Sequence, residues 1–416
     1  MKEKKEKPFY GWIIAVCCFF LIGTLYTIIG NLVNLFIKPL SEGLQVSRGA
    51  VGIYVMIAAL TSVAGCAVTG KLIQKYSLRL VTTIGAICGG GGYIAMAYAT
   101  SLVQVYAISV FLGISIATAT MIPVNLMISN WFEKKRGTVT GIVFTSAGFG
   151  GFIFTQIISY FLENYTYRQA YLVCGIIMLV VTLPITLFFI KLTPEEVGQT
   201  AYGADKGSEQ KEGASEHGFK MKEVKKSSSF VSYIITILLL AIVGVGLVNQ
   251  FLAHLSDNGY SVAEINVINS VFMIGLIITK PVIGILLDKK GSVFTFTLCS
   301  VGYIITILLL GVSREGNMLL PISAMVFLSF AASITSTGPS YITGELYGRT
   351  DFGTIYGVVL MVYNFGTAIS SPIAGIGYDL TGSYTCLGIL FLILIIVMLV
   401  TIRIAKSNVK KIVSGV

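Results

Sequence analysis

Long apolar runs, separated by short polar segments, recur along almost the whole chain. Each run holds about 20 residues or more, which as a helix is long enough to cross the ~30 Å hydrocarbon core of a bilayer. The pattern predicts an all-α membrane protein with twelve transmembrane helices. We number them as spans 1 to 12 and place them at approximately 10–37, 47–70, 79–99, 102–130, 137–162, 167–190, 230–255, 262–287, 292–312, 317–346, 353–377 and 384–404.

One polar segment, 192–229, is much longer than the others and leaves six spans on each side of it. Its low hydrophobicity and mixed charge are typical of a flexible linker. We therefore expect two six-helix bundles, residues 1–191 and 230–416, joined by this linker. Within it, the stretch from Lys220 to Lys226 is a candidate for a short surface helix.

The basic residues are divided unevenly between the two faces that this topology creates. Of the 29 Lys and Arg residues, 24 fall on the side of the two termini. Four lie on the opposite side, Lys38, Arg48, Arg168 and Arg314, and Lys280 alone lies deep within the membrane, away from the span ends. Because basic loops stay in the cytoplasm, we expect both termini there and the protein in the cell membrane. The net charge of +10 then reflects topology and contact with anionic membrane lipids, and it does not imply nucleic acid.

The composition argues against an enzyme. Apolar residues make up 55% of the chain and charged residues 12%. All seven cysteines fall inside predicted spans without metal-ligand spacing, so we interpret them as packing residues. Two histidines and scattered acids do not supply the nucleophile, metal cluster or paired carboxylates that a membrane enzyme needs. We therefore expect no catalytic activity, no cofactor and no metal.

The two halves repeat a pattern of glycines and charges. The segment GKLIQKYSLR begins at Gly70 after span 2, and GILLDKKGSV begins at Gly284 after span 8. A Gly-Thr-x-x-Gly element follows in each half, starting at Gly137 and at Gly353. Many transporters are built from internal repeats with the substrate site between them. The repeat therefore favours transport by alternating access around a central site.

These loops resemble the signature loops of the major facilitator superfamily. The second loop matches the pattern at Gly284, Leu286, Asp288, Lys289 and Gly291. The first is a weaker copy at Gly70, Leu72, Lys75 and Arg79, with Gln74 and Ser77 where Asp and Gly are usual. Other stretches resemble bacterial members of the monocarboxylate transporter and oxalate:formate antiporter group. They are FYGWIIA from Phe9, NWFEKKRGTVTG from Asn130, HLSDNGYS from His254, LYGRTDFGTIYG from Leu346 and DLTGSY from Asp379.

The signature loops also have a physical interpretation of their own. Asp288 ends span 8, where its carboxylate can pair with basic loop residues or accept hydrogen bonds from a neighbouring helix start. Such contacts can latch one conformation and release another. The alternative is a solvated loop with a turn glycine, and for Arg136 and the lysines before it, topology and lipid contact alone. We assign gating roles to Gly70, Arg79, Arg136, Gly284, Asp288, Lys289 and Gly291.

Lys280 is the residue that composition explains least. If span 8 ends near Asp288, Lys280 lies eight residues, or about 12 Å, inside the membrane. A charge at that depth costs about 2.5 kcal/mol or more unless it faces water or a partner. Snorkelling is disfavoured, because a helical side chain points toward the helix start, which here lies deeper in the bilayer. No acidic residue lies mid-membrane in any of the spans to form a structural ion pair, so we predict that the counterion is a substrate carboxylate.

The resemblance supports this role for Lys280, but it also bears on proton coupling. Related transporters carry Arg followed by Pro in span 8 as the carboxylate-binding group, and here Lys280 precedes Pro281. Animal members also have an aspartate one turn earlier, tied to proton coupling, and a lysine in span 1. Leu276 and Asn31 stand at those positions. Proton coupling of the familiar kind is therefore in doubt.

Two residues near the outer end of span 7 are the remaining candidates for proton coupling. Histidine is the residue type most suited to exchanging protons at physiological pH, which makes His254 a candidate, and Asp257 follows one turn later. A histidine in that position is equally consistent with simple solvation. Without proton coupling, we expect the anion to be exchanged for a counter-anion.

Three asparagines inside spans are candidate substrate ligands: Asn31, Asn125 and Asn364. Polar side chains there also bond to neighbouring helices. Oxalate:formate exchangers use a second cation in span 11, and this chain has none there, so a monocarboxylate is favoured over a dicarboxylate. The predicted function is transport of a small organic anion by a monomer. The alternatives are an exporter of drugs or neutral solutes, for which Lys280 would be incidental, and a sensor with a transporter fold.

Overall fold

The computed structural model describes residues 8–204, 218–314, 317–381 and 384–413, and this part of the chain is almost entirely helical. We number the long helices in chain order. The first half contains α1 (Gly11–Leu21, continued by the π-helix Ile22–Asn31), α2 (Arg48–Lys75), α3 (Leu78–Tyr98), α4 (Leu102–Ala119 and Met121–Trp131), α5 (Arg136–Asn164) and α6 (Tyr167–Pro184, continued by the π-helix Ile185–Phe189). The second half contains α7 (Ser228–Asp257), α8 (Val262–Lys290), α9 (Ser292–Gly311), α10 (Leu319–Ala332 and Ile334–Tyr347), α11 (Phe352–Thr381) and α12 (Tyr384–Val413).

Each of the twelve helices contains a stretch that is long and apolar enough to cross a membrane. Large apolar side chains such as Phe152, Val180 and Phe188 are more than half exposed on the outside of the bundle, as expected where lipid replaces water. Many hydroxyl groups bond to the backbone of their own helix; Thr82, for example, donates to the Leu78 carbonyl at 2.9 Å. In lipid, polar groups must be satisfied within the protein. The predicted all-α membrane fold is confirmed.

The first helix ends earlier than the apolar pattern predicts. Span 1 was expected to reach residue 37, but α1 ends at Asn31 and a separate helix, Asn34–Leu44, follows. The apolar residues of this second helix serve another purpose, because Phe36 is fully buried and stacks on Tyr171 with ring centroids 4.1 Å apart. Burial against the bundle, not passage through lipid, explains this part of the run.

The second half of α1 is a π-helix. The Thr27 hydroxyl donates to the Ile22 carbonyl, five residues back, at 3.0 Å, and the Leu32 amide donates to the Thr27 carbonyl at 3.0 Å. π-helical segments are rare and occur mostly at functional sites. This one carries Tyr26 and Asn31, which both line the central cavity described below.

Glycines bring the two halves together at the face on which α1 begins and α12 ends, which we call the terminal face. A side chain on Gly70 would collide with the backbone of Gly353, so α2 touches α11 there. Gly137 and Gly284 bring α5 and α8 into the same kind of contact. These are the glycines that the sequence repeat makes equivalent. Together the two contacts close the terminal face.

The described parts of the linker lie against the bundle. Tyr202 pairs with Phe132 in an isolated β-bridge, and the Phe219 amide donates to the Tyr347 carbonyl at 3.0 Å. The short helix Met221–Val224 confirms the helix predicted near Lys220–Lys226. Composition predicts a flexible linker, but aromatic residues at both ends anchor these segments. Residues 205–217 lie outside the described part of the chain.

Candidate functional site

A cavity of about 610 Å³ lies between the two halves of the bundle. Its walls extend from Lys280 and Tyr356 to Asn31 and Met56, which lie near the far ends of α1 and α2 from the terminal face. Asn31 and Met56 are both exposed. The cavity therefore opens at the face opposite the terminal face, while the glycine contacts close it at the terminal face.

The cavity wall is apolar and aromatic with a single charge. Lys280 is the one charged residue among the described residues that line it. The aromatic residues of the wall are Tyr26, Phe144, Phe272, Tyr356, Tyr363 and Phe365, and its amide and hydroxyl residues are Asn31, Ser62, Thr335, Ser336, Asn364 and Thr367. A cation in such surroundings attracts an anion more strongly than it would in bulk water, because the effective dielectric constant is lower. This wall therefore suits an anion with an apolar body.

The Lys280 ammonium group is held by the backbone of the opposite half. Its Nζ donates to the Phe144 carbonyl of α5 at 3.0 Å. Within the described part of the chain, no carboxylate lies within ion-pair distance of it. An ammonium group has three donors, and the structure shows a partner for one. The others are available to an anion in the cavity.

A glycine on α5 explains how Lys280 reaches this carbonyl. A side chain on Gly141 would collide with the Lys280 carbonyl and would lie 3.0 Å from the Pro281 Cα. Gly141 is one turn before Phe144, so the two helix backbones pass each other closely at this level. Lys280 consequently lies where the closed part of the α5–α8 contact meets the cavity.

The three candidate asparagines do not all line the cavity. Asn31 and Asn364 line the cavity with Lys280. Asn125 is 1% exposed and does not line it, but its Nδ2 lies 3.1 Å from the hydroxyl of Tyr356, which does. Two of the three amides are thus placed to contact a substrate directly, whereas Asn125 holds a residue of the wall.

Of the two proposed proton-coupling residues, the structure describes His254, which is not part of this cavity. His254 lines a separate crevice of about 350 Å³ between α7, α9 and α12. Its Nε2 lies 3.1 Å from the Leu310 carbonyl and 3.0 Å from Asn258 Nδ2. The side chain of Asp257 lies outside the described residues. A proton on His254 would therefore be bound away from Lys280.

Asp288 joins the two halves at the terminal face. It accepts hydrogen bonds at 2.7 Å from the backbone amides of Gly137 and Thr138 and from the Thr138 hydroxyl. Its negative charge thus lies at the N-terminus of α5, where the helix dipole favours an anion. This is the contact with a neighbouring helix start that the sequence suggests. It is well suited to holding the terminal face closed.

The corresponding contact of the other repeat has the opposite arrangement. Gln74 occupies the position equivalent to Asp288, and its Nε2 donates to Asp351 just before α11 at 2.7 Å. Asp351 also accepts from the Met221 amide of the linker at 2.9 Å. Each contact between the halves therefore has one carboxylate beside a helix start, supplied by α8 in one case and by the α11 side in the other.

The remaining gating candidates differ in their surroundings. Arg79 is exposed, and its Nη2 lies 3.5 Å from the Ile190 carbonyl of its own half. Lys289 is exposed, and Gly291 has a φ of 78° in the turn between α8 and α9. Arg136 alone among the basic members is buried between the halves.

A sequence profile described as Major Facilitator Superfamily matches residues 15–255 and 230–414. These two matches together span nearly the whole chain. The chain belongs to the major facilitator superfamily. The expected family resemblance is thereby confirmed, and with it the expectation that the protein is a transporter and not an enzyme.

Curated relatives in this superfamily are distant but nearly complete in length. An uncharacterised MFS-type transporter of Bacillus subtilis, YcxA, is 22% identical over 91% of both chains. Monocarboxylate transporter 12 of Xenopus laevis is 25% identical over 90% of this chain and 84% of its own. Monocarboxylate transporter 13 of Rattus norvegicus is 23% identical over 92% of this chain and 87% of its own.

Solved structures of the superfamily share the fold. The proton:xylose symporter XylE, bound to a bromo-deoxyglucose, superimposes with a TM-score of 0.67 over 95% of this chain and 94% of its own, at 12% identity. A double tryptophan mutant of XylE superimposes with a TM-score of 0.71 over 97% and 98% of the two chains. At this identity the likeness establishes the architecture and says nothing about the substrate.

Sequence reasoning missed several residues of the major facilitator cavity. Tyr26, Tyr356 and Tyr363 line it, but aromatic residues are common in membrane spans and carry no signal of their own. For Tyr356 a signal existed, since it lies inside the second Gly-Thr-x-x-Gly element. The Phe144 carbonyl could not have been found, because every residue has one.

Replacing Asp288 with Asn is expected to loosen the terminal face. The substitution removes the charge and leaves only one acceptor oxygen for three donors. We expect the population open at that face to rise about tenfold, the effect of losing charge-assisted hydrogen bonds worth about 1.5 kcal/mol. In a cysteine-free background, a cysteine at Thr354, which is buried there, should be labelled correspondingly faster. Lys290→Gln, at an exposed lysine on the same turn, is the matched control and should leave labelling unchanged. If labelling and turnover are also unchanged in Asp288→Asn, Asp288 has no gating role.

Proposed function

We propose that this major facilitator protein is a secondary transporter of a small organic monocarboxylate that works by alternating access in the cell membrane. One observation supports this most strongly. A single cation, Lys280, stands in a cavity between the two halves whose described lining contains no acidic residue. A monocarboxylate neutralises that charge, while the aromatic walls take up its apolar part.

The charge count argues for one carboxylate. The described residues that α11 contributes to the cavity are uncharged: Tyr356, Leu360, Tyr363, Asn364, Phe365, Thr367 and Ala368. A second carboxylate would have to be buried there without a cation, which is costly. The names of the relatives, monocarboxylate transporters 12 and 13, agree with this choice.

Alternating access follows from the symmetry of the contacts between the halves. The terminal face is closed by two glycine contacts and by Asp288, and the opposite face is open. With the termini in the cytoplasm, as the distribution of basic residues predicts, this is the outward-facing state. Inward opening would separate α2 from α11 and α5 from α8.

The main alternative is an exporter of drugs or neutral solutes. The apolar walls suit such molecules as well, but Lys280 would then pay a desolvation cost without a function. Benzoate and benzamide distinguish the two cases, because they share a shape and differ in charge.

Thermal unfolding of the purified protein with each of these compounds tests the proposal. A ligand that binds only the folded state raises its stability, by about 2.7 kcal/mol at 100 times the Kd. We expect monocarboxylates such as benzoate or pyruvate to raise the Tm and benzamide and oxalate to have little effect. Equal shifts with benzamide would favour the exporter. Uptake of radiolabelled benzoate into proteoliposomes then separates a transporter from a sensor, which would bind it without moving it.

A further inference from the structure

A second buried cation, Arg136, lies on the same helix pair as Lys280 but at the terminal face. Arg136 is the first residue of α5, and it is 8% exposed. Phe144, whose carbonyl holds Lys280, follows eight residues later, which is about 12 Å along the helix. The two cations therefore lie at two depths along the same interface between the halves.

Arg136 contacts the other half of the molecule. Its Nη2 donates to the Ser340 carbonyl of α10 at 2.7 Å, and its Cζ lies 5.0 Å from the centre of the Phe352 ring of α11. Gly344 of α10 makes room, because a side chain there would occupy the place of the guanidinium group. The contacts that the structure shows for this guanidinium thus cross from α5 to the C-terminal half.

The guanidinium is incompletely satisfied in this position. Its Nε is buried without a hydrogen-bond partner, and no carboxylate of the described residues forms an ion pair with it. Asp288, on the neighbouring helix, is already engaged with Gly137 and Thr138. A buried guanidinium normally has an anionic partner, since an unpaired buried charge is costly.

Opening of the terminal face removes these contacts. When the halves separate, Ser340 and Phe352 move away with the C-terminal half, and Arg136 is left uncovered at the mouth of the inward-facing cavity. A guanidinium group presents a planar fork of donors that matches a carboxylate. While the terminal face is closed, the Phe352 ring and the Ser340 carbonyl occupy the place of that anion.

We propose that Arg136 is a second binding residue for the carboxylate substrate, which it receives at the terminal face when that face opens and from which the anion passes to Lys280. This inference rests on the proposed function. It adds a side-specific site that serves only one of the two conformations.

A binding role and a purely mechanical role for Arg136 predict opposite changes in substrate affinity at the terminal face. If Arg136 only held the face closed, its removal would increase the population open at the terminal face. The apparent Kd on that side equals the intrinsic Kd divided by the competent fraction, so affinity there would improve. If Arg136 binds the anion, affinity on that side must fall.

Transport of radiolabelled benzoate, measured separately from each face, distinguishes these two roles. In right-side-out and inside-out vesicles, we expect Arg136→Gln to raise the KM at the terminal face about tenfold, the loss of one charge-assisted contact. The KM at the opposite face should change less than about threefold, and Arg136→Lys should lie between. Lys135→Gln is the matched control, since Lys135 is the adjacent cation, is exposed and contacts Tyr202; it should leave both values near those of the wild-type protein.

Three results would overturn the inference. They are a lower KM at the terminal face in Arg136→Gln, an equal rise at both faces, and an equal rise in the Lys135→Gln control. Modification of Arg136 by phenylglyoxal, read by mass spectrometry, gives a second measurement on the unmutated protein. Benzoate at the terminal face should protect Arg136, and lack of protection counts against the site. A wild-type protein that does not transport benzoate at all would contradict the proposed function itself.

Discussion

Lys280→Met should lose benzoate binding and transport while still inserting and folding in the membrane. Truncating one member of a buried, hydrogen-bonded charge pair costs about 2 to 5 kcal/mol, so affinity should fall at least about 30-fold. Methionine keeps the length and most of the volume of the lysine side chain, so the Gly141 contact between α5 and α8 has no reason to change. The loss should therefore appear in binding and not in stability.

Two further variants sharpen this experiment. Lys280→Arg keeps the charge but introduces a wider, planar group, so partial binding is expected. Lys290→Met removes a charge of the same type from the exposed end of the same helix and should bind benzoate normally. Binding is measured by thermal shift and transport by uptake of labelled benzoate. Near-normal uptake by Lys280→Met would exclude a substrate role for this lysine.

Preloading proteoliposomes with unlabelled benzoate should increase uptake of labelled benzoate severalfold. The loaded site carries a neutralised Lys280, whereas the empty site carries a bare cation through a closed state of low dielectric constant, which is costly. The return of the empty transporter is then the slow step, and exchange bypasses it. We expect an imposed pH gradient to have little effect, since Leu276 stands beside Lys280 in the cavity wall where relatives are expected to carry an acid.

The position of His254 sharpens the test of proton coupling. Its crevice is separate from the cavity of Lys280, so protonation there would have to act at a distance. A double variant, His254→Gln with Asp257→Asn, should still show stimulation by preloaded benzoate. If instead a pH gradient drives strong accumulation that survives this double substitution, protons enter by another route and the exchange account is wrong.

Features that depend on local composition could be predicted from the sequence. The length and apolarity of each run predicted a membrane helix, because lipid excludes unpaired polar groups wherever the chain crosses it. The same reasoning predicted how deep in the membrane Lys280 lies, since distance along a helix follows from residue count. The equivalence of Gly70 with Gly284 and of Gly137 with Gly353 predicted related halves, and these glycines are the points of contact between them.

The apolar pattern misled where two environments favour the same residues. Apolar side chains suit both lipid and a packed protein interior, so the run through Phe36 was assigned to span 1 although it belongs to a separate helix with one buried face. The π-helix from Ile22 to Asn31 has no signature in composition either.

Contacts between distant segments were decided only by the tertiary structure. The sequence shows a charge at Lys280 but not that the Phe144 carbonyl binds it, because backbone acceptors look alike along a chain and the close approach at Gly141 determines which one is within reach. It shows three asparagines but not that Asn31 and Asn364 share the cavity while Asn125 supports Tyr356. It shows a basic loop at Arg136 but not a buried guanidinium clasped by the opposite half. Residue type determines which interactions are possible, and the relative placement of two helices, fixed by packing over their whole length, determines which of them form.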